Sequence, residues 1–313
     1  MIPFPFNFTL PNRFVQRWTS VLFVMLVVLA APAWGKPPQT ILFVGNSFIY
    51  GFGSPVLHYR ADTVQDLNGE GLGGVPALFK RFTKEAGLDY EVSLETVGGY
   101  TLMNHYLHKA RLIDRSWDHV ILQEQSELDP DHPGDPTNLR IYSGKLAALF
   151  KKRNPHVDIR LFATWSSPYM IHAKDGHWHG QPIEAMGQEL DAAYVKVAEG
   201  NPDIDGVIPV GLAFNRAIAM HVADSNPYDG ISAGRVDVWT YDHHHASAYG
   251  YYLEALMDFG AITGKDPRTL GRDEKAAADL GLSPSQAEAL QNVAYRQLQV
   301  QAAKAGTSRS SKP

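Results

Sequence analysis

The stretch "ILFVGNSFIYG", residues 41 to 51, ends an apolar run in Gly45-Asn46-Ser47 and then turns apolar again. Such a pattern reads as a buried strand running into a turn. Ser47 at that junction either caps the next element or holds its hydroxyl up as a nucleophile. A serine nucleophile needs a base, and "DHHHASAYG", residues 242 to 250, offers one. Asp242 and His245 are three residues apart, a spacing that puts both side chains on one face of a turn or first helical step. A carboxylate beside an imidazole fixes its tautomer and stabilises its protonated form, as a general base requires. The alternative is that Asp242 simply caps a helix starting near Ala246.

Two further motifs suggest other chemistry and lack its context. "GEGLGG" at 69–74 fits a dinucleotide-binding pattern, but it follows the polar stretch "RADTVQDLN" instead of a strand, so it reads as a flexible loop near the site entrance. "HWH" at 177–179 and "HHH" at 243–245 could recruit zinc. Neither has the carboxylate-supported spacing of a His-Glu-x-x-His site, so structural or surface histidines and no metal are expected.

The elements that must position these residues alternate along the chain. Strands are predicted at 40–45, 90–97, 118–123, 157–164 and 204–210, with helical patterns at 75–87, 139–153 and 183–200 between them. This alternation predicts an α/β fold with a parallel sheet of about five strands covered by helices on both faces, three layers α/β/α. Sites in such sheets form at the carboxyl ends of the strands, where Ser47 falls. Tyr249, Tyr252, Leu253, Leu256 and Met257 define one apolar face of a later helix. A last helix starts at "SPSQ", with Ser283 as N-cap, Pro284 at the first position and Gln286 completing a capping box, and is expected to run to about Ala303.

The N-terminus and composition bound the setting. Arg13 and Arg17 precede the apolar run 21–30, and "APAWGK" follows with small residues, which reads as a secretory signal peptide cleaved after Ala33 or Gly35. An uncleaved membrane anchor is the alternative. Residues 1–35 are therefore set apart from one domain over 36–305, with a disordered tail at 306–313. An exported chain, periplasmic or extracellular, with no membrane span after cleavage follows. The chain has 28 basic and 33 acidic residues, and the segment after residue 35 carries a formal charge of −7. That acidic balance makes nucleic acid an unsuitable partner. Cysteine is absent, which removes disulfides, thiolate catalysis and cysteine-ligated metal.

"VGNSF" after the first strand, "VGGYTL" (97–102) after the second, "LQEQS" (122–126) after the third and "DHHHASAYGYYL" (242–253) near the end resemble, in order, the four blocks of the SGNH/GDSL esterase superfamily. The resemblance spans most of the chain beyond residue 35 and implies that the three-layer α/β/α fold has a parallel, flavodoxin-like sheet. It implies Ser47 as nucleophile, His245 as base and Asp242 as its support. It also implies an oxyanion hole from the Ser47 amide, the Gly99 amide (Gly98 if the register slips by one) and a third-block side chain. The pattern is altered at three places. Gly-Asp-Ser reads Gly45-Asn46-Ser47, the proline after the histidine is Ala246, and the third-block asparagine falls on Gln125, whose amide can donate from one methylene further out. A buried Gln125 tied to backbone is the competing reading.

These residues predict a serine esterase needing no cofactor, acting on a small-molecule or polysaccharide ester. Tyr100, Trp165, Tyr169 and Trp178 would suit stacking on a sugar, which favours carbohydrate O-acetyl esters over lipid or short-chain acyl esters. A non-catalytic carbohydrate-binding protein on the same fold and a histidine-rich metal phosphoesterase are the other classes.

Overall fold

A computed structural model describes residues 37–310. The signal peptide expected at 1–35 and the end of the expected tail, 311–313, lie outside the described residues.

Six parallel strands form one sheet in the order β2-β3-β1-β4-β5-β6. They are β1 (Gln39–Gly45), β2 (Gln65–Asp66), β3 (Tyr90–Thr96), β4 (His119–Leu122), β5 (Asp158–Ala163) and β6 (Gly206–Pro209). The five expected strands occur in the flavodoxin-like order, and β2 is the addition. It is a two-residue edge strand pairing with Ser93 and Leu94 of β3. Nothing in "TVQDLN" alternates by hydrophobicity over the length that marks a strand. β1 pairs with β3 from Gln39↔Tyr90 to Gly45↔Thr96 and with β4 from Ile41↔His119 to Val44↔Leu122. The chain thus turns to opposite sides of β1, and the crevice this creates lies at the strand ends carrying Asn46, Val97 and Gln123.

Helices cover both faces because successive side chains of a strand point to opposite sides. Ile41 and Phe43 of β1 join one core, with Phe79 and Phe82 of the helix Gly74–Glu85 and Tyr252, Leu256 and Phe259 of the helix Ala248–Thr263. Leu42 and Val44 join the other, with Leu146 and Phe150 of the helix Thr137–Arg153 and Leu190 and Tyr194 of the helix Ile183–Glu199. Buried on both faces, β1 and β4 read as unbroken apolar runs at Ile41–Val44 and Val120–Leu122.

Between β3 and β4 the chain makes short helical turns that hydrophobic periodicity did not mark. Thr101 starts them, its hydroxyl accepting from the Asn104 amide while Asn104 Oδ1 accepts from the Thr101 amide. At the far end Ser283 and Gln286 form the expected capping box. That last helix runs Pro284–Ser310, so residues 306–310, expected as a disordered tail, continue it. No helix among the described residues is long and apolar enough to cross a membrane.

Candidate active site

The position of Ser47 is set by the end of β1. A Cβ on Gly45 would lie 2.5 Å from Gln123 Oε1 and 2.7 Å from Ile49 Cγ1, so only glycine lets the chain turn here. Asn46, not Ser47, caps the short helix Ser47–Tyr50, its side chain accepting from the Phe48 amide. Ser47 is left as the first helical residue with its hydroxyl uncommitted to capping. Gly51, at φ +85, closes the turn in the left-handed region. The Tyr251 hydroxyl lies 3.1 Å from the Ser47 carbonyl oxygen and 3.3 Å from that of Phe52, fixing the turn from the helix Ala248–Thr263. The glycine stretch 69–74 ends against the same turn: Gly74 sits at φ +62, and a Cβ there would meet the Ile49 carbonyl oxygen at 2.7 Å.

Asp242 and His245 lie on the loop entering that helix. Ser247 caps the helix by accepting from the Tyr249 and Gly250 amides, which frees Asp242 from the capping role open to it in the sequence. Asp242 Oδ1 instead accepts from the backbone amides of His244 (3.0 Å) and His245 (2.9 Å). Asp242 Oδ2 is 2.6 Å from His245 Nδ1, and His245 Nε2 is 2.8 Å from Ser47 Oγ. Because a carboxylate only accepts, Nδ1 carries the proton and Nε2 offers its lone pair to the serine. Burial pushes the Asp242 carboxyl up, but the hydrogen bonds from the His245 ring and the two amides outweigh it and leave the carboxyl below its usual range. His243 takes φ +53 to complete the loop, and the Thr240 amide donates to the His245 carbonyl at 2.8 Å to close it.

His244 is a third imidazole at the site, and neither motif nor spacing assigned it a role. Burial, followed by the neighbouring His245, pushes its pKa down to about 4. Its Nδ1 lies 2.9 Å from Ser167 Oγ and its Nε2 3.4 Å from Ser126 Oγ. It is therefore neutral at pH 7 and adds no positive charge beside His245.

Asn46 joins the three oxyanion candidates. Its side-chain amide donates to the Tyr100 carbonyl at 3.0 Å and, more weakly, to Gln125 Oε1 at 3.4 Å, while its backbone amide donates to Gln123 Oε1 at 2.8 Å. One residue thus ties the Ser47 turn to the Gly98-Gly99-Tyr100 turn and to the third block. Gly99 is exposed at φ +72, with no heavy atom within 4 Å of where a Cβ would stand. Gly98 has no such room, since a Cβ there would lie 2.9 Å from the Tyr50 hydroxyl. With Gln125 Oε1 engaged by Asn46, its Nε2 is the end left to donate. The neighbouring Glu124 is fully buried, with Oε1 accepting from the Leu102 (3.0 Å) and Gln125 (2.8 Å) amides. Burial pushes its carboxyl up to about 7.

The expected sugar-stacking tryptophans do not line the site. Trp165 is fully buried, stacked between Phe48 at 4.4 Å and Phe214 at 4.8 Å, and its Nε1 donates to the His244 carbonyl. It braces neighbours of both Ser47 and His245 from beneath. Trp178 is also fully buried, and its Nε1 donates to Glu189 Oε2 at 2.8 Å. Their size and indole N–H suited core and hydrogen bond alike, which the sequence alone did not separate from a sugar platform. Tyr100 is partly buried with its ring 5.3 Å from His105, and Tyr169 is 58% exposed with its ring 6.4 Å from His244. The histidine clusters serve different partners. His177 Nε2 lies 2.8 Å from Glu189 Oε1; of the three consecutive histidines, His243 packs on Tyr228, His244 lies against Ser167 Oγ and His245 against Asp242. No group of three or more potential ligands among the described residues could hold a metal ion.

No family model matches the chain, and no curated protein matches its sequence. Among solved structures it is similar to a DUF4886 family protein from Bacteroides uniformis, at 16% identity and a TM-score of 0.56 over 84% of this chain and 95% of that one. It also aligns with a protein described as a GDSL-like lipase from Parabacteroides merdae, at 15% identity and a TM-score of 0.47 over 72% of this chain and 95% of that one. The Clostridium thermocellum family 3 carbohydrate esterase aligns at 13% identity and a TM-score of 0.47, over 78% of this chain and 100% of that one. The chain shares its three-layer α/β/α fold with the DUF4886 family protein. At these identities the likeness is one of fold, and function rests on the site.

Proposed function

We propose that the chain is an exported serine esterase that hydrolyses carboxylic esters. The observation that carries this reading is the hydrogen-bonded series Ser47 Oγ, His245 Nε2, His245 Nδ1 and Asp242 Oδ2, with links of 2.8 and 2.6 Å. His245 takes the hydroxyl proton as Ser47 Oγ attacks the ester carbonyl, and the carbonyl oxygen becomes an oxyanion. The Ser47 amide, the Gly99 amide and Gln125 Nε2 receive that charge. As the tetrahedral species collapses, the C–O bond to the alcohol breaks and His245 returns the proton to the departing oxygen. Water then attacks the acyl-Ser47 ester with His245 again as base, releasing the acid and restoring the serine. Asp242 holds the imidazole tautomer and stabilises its charged form throughout.

Export is proposed from the signal-like segment at 1–35, and the mature chain would begin near Trp34 or Lys36. Carbohydrate O-acetyl esters are the favoured substrates, with lipid or short-chain esters as the alternative. Hydrolysis of an aryl acetate and an aryl phosphate, each with and without a chelator, tests the reaction class. The proposal requires turnover of the acetate alone, unaffected by chelation. Turnover of the phosphate abolished by chelation would contradict it, and inactivity on both would point to a non-catalytic binding protein.

A further inference from the structure

A cleft of about 440 Å³ is lined by Ile171, His172, His179, Gln181, Ser225 and Asn226, together with Gly180 and Ile183. Its volume falls in the range of about 300–1,000 Å³ usual for small-molecule sites. Tyr228 links it to the catalytic loop. The Tyr228 ring lies 4.7 Å from that of His172 and 4.3 Å from that of His243, the residue after Asp242, and remains 47% exposed.

The chemistry of the lining selects among ligands. Among the described residues no lysine or arginine lines the cleft, so a phosphate or carboxylate would find no counter-charge. Two isoleucines are too little apolar wall to enclose an acyl chain. The remaining side chains, two imidazoles, an amide pair and a hydroxyl, are hydrogen-bonding groups. The Pro168 carbonyl, 2.9 Å from His172 Nδ1, can only accept, so Nδ1 carries the proton and a neutral His172 has Nε2 as an acceptor. Glu189 holds both His177 and Trp178, which accounts for the motif "HWH": two members anchor the turn and leave His179 exposed at the cleft. Hydrogen-bonding donors and acceptors beside a half-exposed aromatic ring match the hydroxyl edges and apolar ring face of a sugar.

We infer that this cleft is a distal subsite for the glycan chain of an ester substrate, with Tyr228 as the stacking residue between it and the triad. The inference rests on the serine-esterase reading for the reaction and on the cleft alone for the ligand. O-Acetylated oligosaccharides derived from xylan, glucomannan and galactan are each compared with the O-acetylated monosaccharide of the same sugar. At least one oligosaccharide should show a KM about tenfold lower than its monosaccharide. Tyr228→Ala and His179→Ala, both at exposed positions, should each shrink that advantage to about twofold. Equal KM values across all three sugars would overturn the subsite, as would an advantage that survives both substitutions. Phosphatidylcholine vesicles that displace the oligosaccharide would assign the surface to lipid and overturn it as well. Binding of the unacetylated oligosaccharide to Ser47→Ala protein, lost on Tyr228→Ala, supports the subsite without any turnover. An enzyme that turns over aryl acetate but fails these tests loses the cleft alone; one that binds the chain and turns over no ester loses the esterase reading alone.

Discussion

Ser47 carries no activation of its own, because a serine hydroxyl is a weak nucleophile at neutral pH until a neutral imidazole takes its proton. Ser47→Ala and His245→Ala should therefore each lower kcat by on the order of 10³-fold or more, and the double variant by little beyond that, since the pair acts as one unit. Asp242→Asn should cost about 10⁴-fold, because an amide supports the wrong tautomer of His245. Steady-state kinetics on an aryl acetate reads all three. Gln125→Ala should lower kcat by about 10²-fold with KM little changed, the signature of one lost oxyanion donor. Retained turnover would assign Gln125 to structure. Asn46 supplies a sharper test of the same oxyanion geometry. Asn46→Asp keeps the size of the side chain, yet its carboxylate would face the Tyr100 carbonyl and Gln125 Oε1 where an N–H now donates. It should lower kcat by at least about tenfold, and combination with Gln125→Ala should be less than additive, since both act on one donor. Residue type and spacing suggested Asp242 beside His245 and left capping open for both Asp242 and Ser47; only the resemblance joined the three residues in one series. Asn46 was not legible, because its role depends on two acceptors 54 and 79 residues away in sequence.

The elements matter here for the backbone they bring close. β1, β3 and β4 deliver three blocks to one crevice because their order reverses at β1, and the helix Ala248–Thr263 delivers the base from the far end of the chain. That helix can start where it does only because Gly250 has no side chain. A Cβ there would lie 2.3 Å from the Val238 carbonyl and 2.9 Å from both Ala246 Cβ and Phe214 Cζ. Gly250→Ala should destabilise the fold by about 1–3 kcal/mol through overpacking. It should also lower turnover, because the displaced segment carries His245; an unchanged melting temperature and rate would contradict this. The strands and long helices were legible as apolar runs and 3.6-residue periodicity. The edge strand β2 and the turns after Thr101 were not, since two residues and a single capping box leave no periodic signal. Trp165 and Trp178 were placed on the wrong surface for a related reason: the types that suit a sugar face also suit a core, and only tertiary contacts separate the two.

The molecule as a whole buries several carboxyls that stay protonated more readily than usual. Glu254 and Asp258 are fully buried on one helix, and their four oxygens have no hydrogen-bond partner among the described residues. Burial, with mutual repulsion at Glu254, pushes both well up, and burial pushes Glu124 up to about 7. A carboxyl whose pKa is raised by folding stabilises the fold in acid, below its unfolded value, and that stability is lost as pH rises through the folded value. Asp242, held below its usual range, acts in the opposite sense and loses its contribution as pH falls. Melting temperature should therefore decline as pH rises from about 5 through about 7, and Glu254→Gln with Asp258→Asn should raise it chiefly on the alkaline side of that range. A uniform gain at every pH would show that the carboxyls do not titrate in this way. Such burial was invisible in the sequence, where Glu254 and Asp258 interrupt an apolar helix as any exposed pair would. All of these features surround one claim, that Ser47 is a nucleophile activated by His245. An organophosphonate followed by peptide mass spectrometry tests it directly: the adduct should fall on Ser47, abolish ester turnover, fail to form in His245→Ala, and be indifferent to chelators. An adduct on another residue, or turnover that persists in folded Ser47→Ala and vanishes with a chelator, would contradict it.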